Sequence, residues 1–77
     1  MNKSELSKIL IKENIPRHFY SLEGGLPYDA WCLAKTSSGW EVYYTERGEK
    51  YQVEHFCSEE EACERLYQRI KEMMRYL

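Results

Sequence analysis

The chain of 77 residues lacks the long apolar segments that place a protein in or across a membrane. No run approaches the roughly 18 apolar residues that a membrane-spanning helix requires. The start of the chain is not typical of a signal peptide, because Lys8, Lys12 and Glu13 interrupt its apolar residues. These absences predict a cytoplasmic protein that has no membrane partner.

The chain also lacks the cysteine and histidine patterns of disulfide frameworks and metal sites. Its three cysteines, Cys32, Cys57 and Cys63, cannot all pair within one chain, so reduced thiols are expected. There is no CxxC or HxxxH motif, and the spacing of His55, Cys57 and Cys63 is poor for zinc. Three glutamates follow Cys57 and oppose its activation as a nucleophile. We therefore expect no metal, no cofactor and no catalytic cysteine.

A basic excess and a phosphate-binding loop are absent as well. The formal net charge is −2, which is not typical of a protein that binds nucleic acid through an electropositive face. The glycine pair Gly24-Gly25 precedes Leu26-Pro27, a sequence that does not open a phosphate-binding helix. A chain this short, without a convergent nucleophile and base, is not expected to be an enzyme.

Two amphipathic helices are predicted at the ends of the chain. Leu6, Ile9 and Leu10 recur at helical spacing and predict a helix over residues 3–14 that Pro16 stops. Asn2 and Ser4 are both acceptable caps, and Asn2 has Glu5 three residues later for a capping box. A second helix is predicted to begin after a Ser58 cap and to continue to the end of the chain. Its apolar stripe comprises Ala62, Cys63, Leu66, Tyr67, Ile70, Met73, Met74 and Leu77.

The segment between the helices, from Ala30 to Phe56, is rich in aromatic and β-branched residues, which predicts an antiparallel meander. Ser37-Ser38-Gly39 and Glu46-Arg47-Gly48 are predicted as three-residue hairpin loops with glycine in the left-handed position. Residues 17–22 are predicted as either an edge strand or an extended connector, followed by a loop that contains both glycines of the Gly24-Gly25 pair.

These loops predict a register for the sheet. Lys35 is placed opposite Glu41, Ala34 near Val42, Cys32 near Tyr44, and Tyr43 opposite Tyr51. One face then contains Trp31, Leu33, Tyr43, Tyr51 and Val53, and the other contains Cys32, Trp40, Val42, Tyr44 and Phe56. With both helices on one face of a three- or four-stranded sheet, the chain is predicted to form a single α+β domain over residues 1–77, of α-β-β-β-α topology.

The chain has more aromatic side chains than one thin core accommodates, and tyrosine and tryptophan are enriched at protein interfaces. We therefore predict a partner-binding surface on the hairpins, with the glycine loop and the acidic start of the last helix at its rim. The predicted residues are Gly24, Gly25, Trp40, Tyr43, Tyr44, Arg47, Tyr51, Glu59 and Glu60.

Two other interpretations remain open. The element order is similar to that of the double-stranded RNA-binding domain, but that family places lysines where this chain has Ser58-Glu59-Glu60-Glu61, so nucleic acid is an unlikely ligand. A small nucleic-acid-associated or regulatory module in that fold is one alternative. A homodimer that pairs its exposed sheet face with itself is the other.

About half of the chain resembles small immunity proteins of bacterial polymorphic-toxin and contact-dependent inhibition systems. The resemblance lies in Tyr20-Ser21-Leu22-Glu23-Gly24-Gly25-Leu26-Pro27, in Trp40-Glu41-Val42-Tyr43-Tyr44-Thr45-Glu46-Arg47-Gly48, and in Phe56 with Ser58-Glu59-Glu60-Glu61-Ala62-Cys63. It implies a non-catalytic cytoplasmic protein that binds a cognate toxin domain and neutralises it by stoichiometric occlusion.

Overall fold

The computed structural model describes residues 1–77 and confirms the predicted α+β class. Neither helix is both long enough and apolar enough to cross a bilayer. The elements, in chain order, are helix α1 (Lys3–Lys12), a 3₁₀ turn (Arg17–Phe19), strand β1 (Tyr20–Ser21), strand β2 (Ala30–Thr36), strand β3 (Gly39–Glu46), strand β4 (Glu49–Phe56) and helix α2 (Glu59–Arg75).

The sheet is mixed, with the strand order β1-β2-β3-β4. Strands β2, β3 and β4 form the predicted antiparallel meander. The fourth strand, β1, is only two residues long and pairs with β2 in the parallel direction, with Tyr20 beside Trp31 and Ser21 beside Cys32. Of the edge strand or connector predicted over residues 17–22, only Tyr20–Ser21 forms a strand, and it runs parallel to β2 and not antiparallel like the meander, because residues 22–29 carry the chain back to the start of β2.

The predicted register of the first hairpin is wrong by one residue. Its turn contains only Ser37-Ser38, so Thr36 pairs with Gly39 and Lys35 lies opposite Trp40 rather than Glu41. Gly39 is the first residue of β3, and the end of β4 passes close to it. A Cβ atom at position 39 would lie 2.4 Å from the carbonyl oxygen of Phe56, so a side chain does not fit there.

The second hairpin also has a two-residue turn. Arg47 and Gly48 have φ angles of 53° and 79°, as the tight turns that match strand twist require. Tyr51 consequently pairs with Tyr44, and the predicted pairing of Tyr51 with Tyr43 is wrong. A β-bulge follows, in which Gln52 has a φ of 53° and the register shifts by one residue.

The register error exchanges the two predicted faces of β3. Tyr44 lies on the helix-covered face beside Trp31, with ring centroids 5.3 Å apart, whereas Tyr43 lies opposite Cys32 on the other face. Both helices pack on the same face, as predicted. Their buried residues share one core with the sheet, composed of Leu6, Leu10, Ile15, Trp31, Leu33, Val42, Ala62, Cys63, Leu66 and Ile70.

Helix α1 is two residues shorter than predicted. The Asn2 side chain and Glu5 form the predicted capping box. The helix ends in a Schellman motif, in which Asn14 has a φ of 59° and the Ile15 amide donates to the Leu10 carbonyl at 3.0 Å. Asn14, rather than Pro16 alone, therefore defines where the helix stops.

The two helices run side by side and point in the same direction. At their N-termini, a carboxylate oxygen of Glu59 accepts a hydrogen bond from the Lys3 backbone amide at 2.7 Å. At the other end, Glu13 accepts hydrogen bonds from the Tyr67 hydroxyl at 2.6 Å and from the Lys71 ammonium at 2.8 Å. Helix α2 begins as predicted at the Ser58 cap, whose hydroxyl oxygen accepts from the Glu61 amide at 3.1 Å.

Candidate functional site

A strap of residues 22–29 covers part of the sheet face that the helices leave open. The Gly24 amide donates to the Leu33 carbonyl at 2.9 Å, which holds the strap to the edge of β2. The next residue, Gly25, accepts a hydrogen bond from the Tyr43 hydroxyl at 2.8 Å. Tyr43 is consequently only 1% exposed, so its ring does not offer a contact surface to a partner.

Beneath the strap lies a second small core of Ala30, Cys32 and Tyr43. Burial raises the pKa of Tyr43 to about 12 and also raises the pKa of the Cys32 thiol. Both groups therefore remain protonated at neutral pH. Cys32 is therefore a packing residue of this small core.

The part of the open face beyond the strap carries neutralised charges. Glu41, which is nearly buried, accepts a hydrogen bond from the Lys50 ammonium at 2.8 Å. The same ammonium lies 4.5 Å from the centre of the Tyr43 ring. His55 approaches Glu41 at 3.9 Å. These contacts satisfy the charges within the chain, so they give this region little net attraction for a charged ligand.

A second surface, the acidic turn end, lies where β2 begins and the β3–β4 hairpin turns. We define it by the carboxylates Asp29, Glu46 and Glu49 and the tyrosines Tyr44 and Tyr51. Glu46 and Glu49 are exposed and directly opposite each other in the strand pair, and neither forms an ion pair within the chain. Two like charges in this position destabilise a hairpin.

The pKa values of both tyrosines of the acidic turn end are raised. Burial, followed by the negative charges of Asp29 and Glu46, raises the pKa of Tyr44. The hydrogen bond that the Tyr51 hydroxyl donates to Glu49, at 3.0 Å, raises the pKa of Tyr51. The acidic turn end therefore presents protonated phenols next to unpaired carboxylates. Tyr28, beside Asp29 in the chain, is 86% exposed and adds aromatic surface at this end.

A third feature, the edge groove, lies at the opposite end of the sheet and has a volume of about 490 Å³. Its walls are formed by Lys3, Leu22, Glu23, Gly24, Gly25, Ala34, Lys35 and Trp40. The Lys3 ammonium is paired with Glu23 at 2.8 Å, whereas the Lys35 ammonium lies 4.8 Å from the centre of the Trp40 ring. Lys35 has no carboxylate partner in the structure.

The nine residues predicted for partner binding do not form one surface. Tyr44, Arg47 and Tyr51 belong to the acidic turn end or its turn, while Trp40, Gly24 and Gly25 line the edge groove. Near the start of α2, Glu60 is exposed, whereas Glu59 is partly buried and bonded to Lys3. Tyr43 is enclosed by the strap.

Sequence reasoning missed Tyr28, Asp29, Glu46 and Glu49 as members of a surface. The signal for Glu46 and Glu49 was present, because a two-residue turn at Arg47-Gly48 pairs them directly. The predicted three-residue loop, Glu46-Arg47-Gly48, places Glu46 inside the loop and so does not pair it with Glu49. Asp29 is far from both along the chain, so only the folded sheet brings it near them.

The structure contains no group of three or more histidine, cysteine, aspartate or glutamate side chains that is arranged to hold a metal ion. Cys63 is buried in α2, where burial raises its pKa to about 11, and Cys57 is exposed. The surfaces described above are suited to binding through shape, aromatic contact and charge.

Comparison of this chain with protein-family models, with curated proteins and with solved structures finds no match.

Proposed function

We propose that this protein is a non-catalytic binding domain whose acidic turn end contacts a positively charged surface of a partner protein. The observation that carries this proposal is the direct opposition of Glu46 and Glu49 without a counter-ion. Such a pair costs stability in the free protein, and a basic partner surface would relieve the repulsion on binding.

The tyrosines supply the contact area that the carboxylates do not. Tyrosine rings are rigid and amphipathic, so they bury apolar surface at a low cost in conformational entropy. Tyr51 is 41% exposed and Tyr28 is 86% exposed, and both lie at this end of the chain's sheet. An interface centred here would combine apolar anchors with a charged rim.

The biological role that we propose is neutralisation of a toxin. The resemblance of residues 20–27 and 40–48 to small immunity proteins supports this role. The mechanism is stoichiometric: the acidic turn end covers a basic active site or substrate-entry surface of the toxin, and negative charge on this protein accelerates the encounter.

The RNA-binding alternative has no comparable support. The start of α2 carries Glu59, Glu60 and Glu61, and Glu59 is already bonded to the Lys3 amide. Carboxylates at this position repel a phosphate backbone.

The test is co-expression with the polypeptide encoded beside this protein in its genome. We expect growth to be protected by the wild-type chain and protection to be lost in Glu46→Lys, which replaces one carboxylate of the acidic turn end by a cation. Glu72→Lys, an exposed change on α2, is the matched control and should protect as the wild type does.

The same substitution separates binding from folding. Placing a cation opposite Glu49 relieves the like-charge pair, so Glu46→Lys should raise the free energy of unfolding by about 0.5 kcal/mol, measured by urea denaturation. A variant that is more stable and still protects would contradict the proposed surface. Absence of protection by the wild-type chain would contradict neutralisation of that toxin.

A further inference from the structure

The edge groove contains an unpaired piece of β-sheet backbone. Strand β1 pairs with β2 only at Trp31 and Cys32, and the strap adds one further bond, from the Gly24 amide to the Leu33 carbonyl. Because backbone groups alternate sides along a strand, the amide and carbonyl of Lys35 point the same way as those of Leu33. No strand lies beside Lys35 on that side, so both groups open into the edge groove.

The side chains around this backbone suit one kind of ligand. The Lys35 ammonium is free of carboxylates and lies against the ring of Trp40, which is half-buried and forms one wall. The other cation of the groove, Lys3, is neutralised by Glu23. The edge groove therefore offers a hydrogen-bond donor and acceptor, an aromatic wall and one unpaired positive charge.

We propose that the edge groove binds an extended peptide segment that carries a carboxylate. The segment continues the position of β1 along β2, exchanges backbone hydrogen bonds with Lys35 and places its carboxylate near the Lys35 ammonium. The occupant is a second protein's flexible or terminal segment, and this site is separate from the acidic turn end. Two backbone bonds and one ion pair make this a weak interaction suited to reversible contact.

The test begins with a displayed library of random peptides of about seven residues with free C-terminal carboxylates, selected on the full chain. The best peptide is then titrated into isotope-labelled protein and followed by nuclear magnetic resonance. We expect the largest shifts at Lys35, Trp40 and Gly24, and at least about tenfold slower hydrogen exchange of the Lys35 amide in the complex.

Two substitutions at one position separate the backbone from the charge. Lys35→Pro removes the amide donor together with the cation, at an edge where proline is tolerated, and Lys35→Gln removes only the cation, so the difference between the two variants measures the contribution of the amide. We expect Lys35→Pro to abolish detectable peptide binding and Lys35→Gln to weaken it by about three- to tenfold. Lys12→Gln, an exposed change on α1, is the control and should bind the peptide normally.

The proposal is overturned if no peptide is enriched, if the selected peptides bind Lys35→Pro as well as the wild type, or if the Lys35 amide is already protected in the free chain. Protection that depends on protein concentration would show that a second copy occupies the groove and would also overturn it. If Lys35→Pro does not fold, hydrogen exchange of the Lys35 amide in the wild-type protein, with and without the peptide, decides whether the proposal stands. Glu46→Lys should leave peptide binding unchanged, so failure of this site and failure of the acidic turn end are distinguishable.

Discussion

Glu54 is the residue that joins β4 to helix α2. Its carboxylate accepts hydrogen bonds from the Arg65 guanidinium at 3.0 Å and 3.1 Å and from the Arg69 guanidinium at 3.1 Å. Arg69 also lies over Trp31, with its guanidinium carbon 5.3 Å from the ring centre. One side chain of an edge strand thereby fixes two turns of the helix that covers the sheet.

We expect Glu54→Gln to lower the free energy of unfolding by about 1–2 kcal/mol, because two guanidinium groups lose a charged acceptor. The measurement is urea denaturation at neutral pH. Glu72→Gln is the control, since Glu72 is exposed and forms no ion pair, and it should leave the midpoint unchanged. Equal stability of both variants would show that the Arg65 and Arg69 contacts contribute nothing.

The same pair predicts a pH dependence. Burial alone would raise the pKa of Glu54, but the hydrogen bonds from Arg69 and Arg65 outweigh burial and lower it. A carboxylate with a lowered pKa in the folded state stabilises the protein above its ordinary pKa, and this contribution is lost as the pH falls through the lowered value. The stability difference between wild type and Glu54→Gln should therefore be largest at neutral pH and shrink in acid. A difference that is constant with pH would contradict this account.

At the scale of elements, the strap of residues 22–29 determines which part of the open face a partner reaches. Its apolar side chains are at most half-buried: Leu22, which packs against the main core, and Pro27 are half-buried, and Leu26 is 56% exposed. Its attachment to the sheet is by hydrogen bonds at Gly24 and Gly25. An element held in this way opens more readily than one packed through a hydrophobic stripe.

We expect Tyr43→Phe to loosen the strap, because it removes the hydroxyl that donates to Gly25. The measurement is the labelling rate of Cys32 by a thiol reagent, in a Cys57→Ser background that removes the exposed thiol. Cys32 should react several times faster in the variant, while Cys63 in the main core serves as the internal control and should not change. An equal increase at both cysteines would indicate global destabilisation instead.

The elements themselves were predictable, whereas their pairing was only partly so. The capping box of Asn2 and Glu5 and the Ser58 cap are local patterns, and both helices begin where these patterns indicate. The hairpin register depends on whether Gly39 belongs to the turn or to the strand. In the structure Gly39 pairs with Thr36 and belongs to the strand, and the local Ser-Ser-Gly pattern does not distinguish this two-residue turn from a three-residue loop.

At the scale of the whole molecule, the sheet has two exposed edges, and they differ in structure. The edge beside β1 ends in the edge groove, while β4 is unpaired along its outer side. The bulge at Gln52 disrupts β4, and the charged residues Lys50 and Glu54 lie two positions from it on either side. Both features disfavour pairing with the β4 strand of a second molecule.

We therefore expect the wild-type protein to be monomeric by light scattering. Deletion of Gln52 removes the extra residue of the bulge and straightens the edge, so we expect this variant to associate at protein concentrations where the wild type does not. The matched control is Gln52→Gly, which keeps the bulge and should remain monomeric. Deletion of Ser38, in the turn between β2 and β3, is not a matched change. A monomeric deletion variant that is still folded would show that the bulge does not protect this edge.

The amino-acid sequence by itself determined the α+β class, the two capped helices and the three-stranded meander, because these depend on residues close together in the chain. Only the tertiary structure decided which tyrosine faces the helices, since a one-residue difference in a turn reverses every side chain of a strand. It also decided that Asp29 lies near Tyr44 and that the backbone of Lys35 opens into a groove. These features arise where segments that are distant in the chain come into contact, and local sequence patterns do not predict such contacts.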